Sequence, residues 1–318
     1  MSGPVRIALV GAGAFGIKHL DALSVIDDAV VGSVVSTPIE QAKEVAARYG
    51  ATHAGTELDE VLARDDIDAV ILASPTPLHA EQAVATLRAG KHVQVEIPLA
   101  DSWAGAESVA LAAEETGLVC MAGHTRRFNP SHRWVRGRIQ AGALTLQHLE
   151  VQTYFLRRSN LNALGQPRSW TDNLLWHHAA HTVDLLRYQT GQEVIAGHVL
   201  AGPTHAELGI PMDMSIQLRT SGGTLCTLSL SFNNDGPFGS VFRYIGDTGT
   251  YLARYDDLVT GNDEPVDLSG VGVPGNGIEG QDREFVAAIR DGRAPESSVT
   301  SVLPSYRVLA DLDAQLNG

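Results

Sequence analysis

The segment Trp176-His177-His178-Ala179-Ala180-His181-Thr182-Val183-Asp184 packs three histidines into five residues and follows them with an aspartate. Imidazole ionises near neutral pH, so such a cluster suits proton transfer or metal ligation. On a helix, His177, His181 and Asp184 stand at i, i+4 and i+7 and share one face, with His178 about 100° round from His177. The same i, i+4 pair, with Asp184 as third ligand, has zinc-site spacing. A core helix whose histidines satisfy buried partners has this pattern too, and spacing alone leaves all three readings open.

A second cluster is cationic. Between Gly123 and Arg168 the chain carries Arg126, Arg127, Arg133, Arg136, Arg138, Arg157, Arg158 and Arg168, with Glu150 as the single acid. The planar guanidinium pairs with carboxylates through two hydrogen bonds, so this window is where an anionic substrate finds partners. Arg126, Arg127 and Arg168, with Tyr154 as an additional donor, are the candidate substrate contacts. Arg133, Arg136 and Arg138 read as a solvated face or a subunit interface. Of the two cysteines, Cys120 sits in the apolar run Leu118-Val119-Cys120-Met121 and Cys226 in an alternating strand, so neither reads as a reactive thiol. They form neither a disulfide framework nor a metal-type pair.

The elements that must position these residues begin at the other end. Val5 to Val10 is an apolar run of strand length that flows into Gly11-Ala12-Gly13-Ala14-Phe15-Gly16 and a helix from about Ile17. A GxGxxG between strand and helix permits the tight turn, lets backbone approach a pyrophosphate and packs helix on strand, with the helix N-terminus facing the phosphate charge. Gly11, Gly13, Ala14, Phe15 and Gly16 are therefore candidate dinucleotide contacts. The next strand, Val30 to Val35, ends at Ser36-Thr37-Pro38, where an NAD-preferring site carries an acid about twenty residues beyond the glycines. Ser36 and Thr37 admit a 2′-phosphate without repulsion, which favours NADP; NAD stays admissible, since no arginine stands there to clamp the phosphate. Two later loops, Ala73-Ser74-Pro75-Thr76-Pro77-Leu78-His79 and Glu96-Ile97-Pro98, also follow strands. Carboxyl ends of parallel strands gather ligands, so Ser74, Pro75, His79, Glu96 and Ile97 join the cofactor list.

Strands and helices alternate up to residue 122, which predicts a Rossmann-type doubly wound parallel sheet over 1–122. Beyond it, strands near 145–156, 194–201, 212–220, 224–233, 240–246 and 249–255 predict a largely antiparallel open sheet, closed by helices at 278–291 and 301–316. Residues 123–318 are thus expected to bind substrate and to form oligomer contacts, the fold class being α/β joined to α+β. The net charge of −14 argues against a nucleic-acid partner. No apolar run is long enough to span a bilayer, and a strand starting at Val5 leaves no room for a secretory signal, so a cytoplasmic address is expected.

The glycine fingerprint, the Ser-Pro loop ending at His79, the Glu-x-Pro turn, Arg127-Phe128-x-Pro130 and the histidine segment together resemble the family of glucose–fructose oxidoreductases and inositol dehydrogenases, over essentially the whole chain. That family places a lysine between Glu and Pro and an Asp-x-Gly-x-His-x-x-Asp string on its catalytic helix. Here Ile97 replaces the lysine, His177 replaces the first aspartate and Ala179 the glycine, while His181 and Asp184 match. The strings 92–101, 123–130, 168–172 and 175–184 are similar to a branch from bacterial protocatechuate 4,5-cleavage. The resemblance implies NADP-dependent oxidation of the cyclic hemiacetal of a dicarboxylate semialdehyde to a lactone, with His177, His178 or His181 as general base and no metal. It also adds Trp170 to the cofactor contacts and implies a homodimer or homotetramer. Another lactol, sugar or inositol dehydrogenase, a metal hydrolase and a non-catalytic NADP-sensing regulator are the competing readings.

Overall fold

A computed structural model of the chain describes residues 3–161, 165, 167, 168 and 170–318; Ser169 of the 168–172 string lies outside them. The chain divides into two compact units, Met1–His124 with Ile278–Leu303, and Thr125–Gly277 with Pro304–Gly318.

In the first unit β1 (Val5–Val10), β2 (Ala29–Val35), β3 (His53–Gly55), β4 (Ala69–Leu72), β5 (His92–Val95) and β6 (Cys120–Ala122) form a sheet in the order β3-β2-β1-β4-β5-β6. Every pairing is parallel. The helices between strands are α1 (Ala14–Leu23), α2 (Ile39–Tyr49), α3 (Leu58–Leu62), α4 (His79–Arg88) and α5 (Trp103–Thr116). Crossover helices cover such a sheet on both faces, which is why Ala69-Val70-Ile71-Leu72 is an unbroken buried apolar run. Strand order reverses between β1 and β4, and the ligand crevice of such sheets opens there, at the carboxyl ends.

The sequence pattern suggests one cut after residue 122, with both C-terminal helices beyond it. Instead α8 (Ile278–Asp291) belongs to the first unit. Its buried face, Ile278, Gln281, Asp282, Phe285, Val286, Ala288 and Ile289, carries two polar residues among the apolar ones, and Asp282 bonds His19 of α1. Amphipathic periodicity gives a helix its buried face but not the unit it packs on.

The second unit contains α6 (Pro130–Gln140), β7 (Leu146–Tyr154), α7 (Ala180–Thr190), β8 (Val194–Ala201), β9 (Asp213–Thr220), β10 (Leu225–Ser231), β11 (Gly239–Gly246), β12 (Thr250–Arg254) and β13 (Asp257–Thr260). These strands order as β13-β12-β11-β7-β10-β9-β8. All pairs are antiparallel except β7 with β10. That pair is parallel because the chain leaves β7 by a long excursion through α7, and a parallel neighbour needs such a crossover. On β9 and β10 every second residue is buried, including Cys226, and the others face away from the core. The final helix, α9 (Val299–Asn317), contributes its residues from Pro304 onward to this unit. Among the described residues no helix is long and apolar enough to cross a membrane.

Candidate active site

At the dinucleotide crevice of the first unit, α1 starts at Ala14, three residues earlier than the sequence suggests, and no side chain caps it. Its first-turn N–H groups are therefore left for a ligand. Gly11 has φ +98° and a Cβ there would lie 2.4 Å from the Ala73 carbonyl oxygen, so β-carbon-free backbone is required where the first loop meets the second. At Gly16 a Cβ would meet the Gly11 carbonyl at 2.0 Å, whereas at Gly13 it would meet nothing within 4 Å. The loop is tight where it packs and open where a pyrophosphate must approach, so it fits a dinucleotide.

Past β2, the Ala12 N–H donates to Ser36 Oγ (3.3 Å), Ser36 Oγ donates to Gln41 Oε1 (3.2 Å) and Gln41 Nε2 donates to the Ala12 carbonyl (3.0 Å). Gln41, invisible as a site residue in the sequence, thus joins Ser36 to the glycine loop without introducing an acid. Thr37 precedes cis-Pro38, which stands at the N-cap of α2. His79 differs from expectation: it is buried, and its ring nitrogens lie 2.7 Å from the Pro98 and 2.8 Å from the Ser74 carbonyl oxygens. It staples the two cofactor loops to each other. Ser74 donates its hydroxyl to Gln82, Pro75 leads into a turn of 3₁₀ helix, and Ile97 is buried before cis-Pro98. Glu96 is buried against His19.

In the second unit the histidines do not sit on one regular α-helix. Residues Leu174–Ala179 form a π-helix, capped by Asn173 Oδ1, which accepts from the Leu175 and Trp176 N–H groups; α7 follows. The wider turn carries His177 and His178, while His181 stands in the first turn of α7, so the simple i, i+4 face does not hold across the junction. π-turns inside helices frequently mark functional sites. All three histidines are half-buried. The rings of His177 and His178 meet edge-on at 4.9 Å, and His178 lies between Phe155 at 5.4 Å and Phe232 at 5.2 Å.

Beside them, Asp172 accepts from Arg157 Nη2 and, at 3.4 Å, from Arg168 Nη1. Burial opposes ionisation of Asp172, but His177 and Arg157 together hold its carboxyl below the usual range. Burial, then the charges of His177, Arg157 and Arg126, push His178 down to about 3 against the opposing pull of Asp172. Arg157 stacks on Phe232 and Arg168 on Trp170, which lies in this second unit. Arg126 is 8% exposed; its Nη1 donates to Asn276 Oδ1 (3.0 Å) and its guanidinium lies over Tyr255. Among the described residues no carboxylate pairs with Arg126, and its Nε, Arg157 Nη1, Arg168 Nε and Asp172 Oδ1 have no hydrogen-bond partner. Burial accordingly lowers the Arg126 pKa. Two arginines thus share the Asp172 carboxylate with donors to spare, and Arg126 adds a third positive charge that acts on His178.

Arg127 is committed elsewhere. Its Nε and Nη2 donate to Asp184 Oδ2 (2.7 Å) and Oδ1 (2.6 Å) with both side chains buried, so it joins α7 to the segment before α6 and is not a substrate clamp. Asp184, the third ligand a zinc site would need, is taken by this pair, and no group of three metal-ligating side chains occurs among the described residues. Tyr154 also departs from expectation. Strand alternation puts Phe155 on the side of His178 and Tyr154 on the other face, where its hydroxyl donates to Ser229 (3.0 Å).

Residues 5–124 match the oxidoreductase family with an NAD-binding Rossmann fold, and 130–272 match the C-terminal domain of bacterial oxidoreductases. The chain is 65% identical over 312 residues to a 4-carboxy-2-hydroxymuconate-6-semialdehyde dehydrogenase of Sphingobium sp. (strain NBRC 103272 / SYK-6), covering 98% of this chain and 99% of that one. The chain belongs to this oxidoreductase family. As a member it is an NAD(P)-dependent dehydrogenase, of the kind its resemblance to inositol dehydrogenases implies. It is also 36% identical over 129 residues to the scyllo-inositol 2-dehydrogenase (NADP(+)) of Bacillus subtilis, which covers 41% of this chain and 39% of that one. An oxidoreductase domain protein from Kribbella flavida has the same fold, with a TM-score of 0.87, 22% identity and coverage of 99% and 97% of the two chains. Ile97 is buried and His177 half-buried at the two positions where the resembled pattern carries lysine and aspartate.

Proposed function

We propose that this dehydrogenase oxidises the cyclic hemiacetal of 4-carboxy-2-hydroxymuconate-6-semialdehyde to 2-pyrone-4,6-dicarboxylate, with NADP as acceptor and His177, His178 or His181 as general base. The observation that carries the reading is the excess of guanidinium near the π-helical histidines, where the partly buried Arg157 and Arg168 share Asp172 and the buried Arg126 has no carboxylate in ion-pair contact among the described residues. A buried cation without a bonded counter-ion is costly; Asp256 acts on Arg126 only from beyond ion-pair distance, and a dicarboxylate would supply the closer charge. The name of the 65% identical relative supports the same substrate.

A bound nicotinamide would supply the hydride acceptor, held through the phosphates by Gly11 to Gly16, with Ser36, Thr37 and Gln41 at the 2′-position. The chain's own residues do the rest. Arg126, Arg157 and Arg168 bind and orient the carboxylates. Neutralising them removes two of the charges that suppress protonation of His178, so substrate binding raises the proton affinity of the cluster. Phe155 and Phe232 pack against the His178 ring and fix its orientation. The enol oxygen of the substrate closes on the aldehyde carbon; loss of the hydroxyl proton to a histidine and of hydride from the same carbon leaves the lactone carbonyl. No thiol is required, and burial pushes the Cys120 thiol up to about 12.

Steady-state kinetics with the semialdehyde, generated by 4,5-cleavage of protocatechuate, against myo-inositol and glucose test the reading. It requires a higher kcat/KM for the semialdehyde; preferential turnover of either polyol would overturn it.

A further inference from the structure

The first unit buries a charged group that the proposed reaction does not use. His19, wholly inaccessible on α1, places Nδ1 2.9 Å from both carboxylate oxygens of Asp282 and Nε2 3.0 Å from Glu96 Oε1. A neutral imidazole has one N–H and donates to one carboxylate; bonding both ionised carboxylates requires both nitrogens to carry hydrogen. Gln94 Nε2 donates to Asp282 Oδ1 (2.7 Å) and Gln281 Nε2 to Glu96 Oε1 (3.3 Å), so α1, β5 and α8 meet in one network. Such a cluster is a poor stabilising device, since apolar packing of equal volume does as well, and a geometric role is the better-attested use.

Its location supplies that role. His19 lies three residues past Gly16, on the helix whose N-terminus faces the phosphate position. Glu96 follows β5 and leads directly into Ile97 and cis-Pro98, whose carbonyl is bound by His79. In a doubly wound sheet the two halves on either side of the strand-order reversal hold the two mononucleotides. His19 belongs to the first half and Glu96 to the second. Glu96 is also pinned from behind, since a Cβ at Gly123 would lie 2.7 Å from its Oε1.

We propose that His19 is a positioning residue that locks the phosphate-binding helix to the Glu96–Ile97–Pro98 turn and thereby sets the nicotinamide end of the crevice relative to the phosphate end. The proposal is independent of the substrate's identity. Its test is calorimetric binding of NADP and of 2′-phospho-ADP-ribose, which lacks the nicotinamide, with NAD and ADP-ribose as the parallel pair. His19→Asn should bind the nicotinamide-free probes as wild type does and bind the full dinucleotides about tenfold more weakly; kcat should fall about ten- to a hundredfold with a larger deuterium isotope effect, the consequence of a misplaced reacting centre. Asp282→Asn keeps His19 and its bond to Glu96, and gives the same ordering at smaller size; it carries the test if His19→Asn fails to fold. Parallel loss of both probes, or unchanged binding of both with only a lower melting temperature, would make His19 a structural residue and overturn the proposal.

Discussion

Adjacent arginines with opposite roles make the sharpest prediction. Arg126→Met removes, at roughly constant volume, a buried guanidinium held by the neutral Asn276 and Tyr255, with Asp256 acting on it only from beyond ion-pair distance. No carboxylate loses an ion pair, so the melting temperature should hold or rise, as expected when a weakly compensated buried charge is removed. The cost should appear in substrate binding. A lost charge-assisted bond is worth about 1.5–3 kcal/mol, so KM for the dicarboxylate should rise about ten- to a hundredfold. Arg127→Met is the contrast. It removes the ion pair from Asp184, which is 1% exposed and also accepts from Ser305 at 3.3 Å, and breaking such a buried pair costs about 3–5 kcal/mol. That variant should melt markedly lower, with a smaller change in KM per folded molecule. Steady-state kinetics beside thermal unfolding separate the two. A wild-type KM in Arg126→Met, or equal destabilisation of both variants, would refute the assignment of Arg126 to the substrate.

The cofactor reading predicts tighter NADP than NAD binding by titration, and a shift toward NAD in Ser36→Asp, which repels the 2′-phosphate and restores a ribose partner; a wild-type preference for NAD would contradict it. Replacing the histidine that serves as base with Asn should lower kcat by about 10²–10⁴ while NADP affinity changes little, and Cys120→Ala should stay active. An inactive but folded Cys120→Ala protein would point to thioester chemistry. For His19, burial opposes the charge but Asp282 and Glu96 outweigh it and raise its pKa from 6.5 to about 10. Its proton is kept in the folded state and lost from the unfolded chain between those values, so its contribution is complete below pH 6.5 and vanishes as pH rises through about 10. Thermal unfolding of wild type should therefore weaken from neutral toward alkaline pH, with a flatter profile in His19→Asn; coincident profiles would deny the charged state.

What the sequence made legible were features fixed by local chemistry. The glycine fingerprint lay between strand and helix as its spacing requires, and the alternation of Cys226 to Phe232 marked a one-sided strand. Elements of three to five residues such as β3 and α3 are too short to show a period, and the β7–β10 parallel pair depends on a crossover that no local signal encodes. The site was less legible for the same reason. Arg126 and Arg127 are neighbours of identical type, and only tertiary packing gives Arg127 an ion pair with Asp184 while, among the described residues, no carboxylate bonds Arg126. Tyr154 and Phe155 differ by one position in a strand, which puts them on opposite faces. His79 looked like a ligand contact because its loop follows a parallel strand, yet both its ring nitrogens face backbone carbonyls. The π-turn at Leu174–Ala179 was hidden because its residues suit an α-helix equally well.

The central claim is that hydride leaves a ring carbon that already bears the hydroxyl. It is tested most directly with 4-carboxy-2-hydroxymuconate-6-semialdehyde carrying deuterium on the aldehyde carbon, followed by mass analysis of both products. Transfer of the deuterium to the nicotinamide together with 2-pyrone-4,6-dicarboxylate as the first product is the predicted result. A ring-opened tricarboxylate as the first product, or turnover without deuterium transfer, would contradict it.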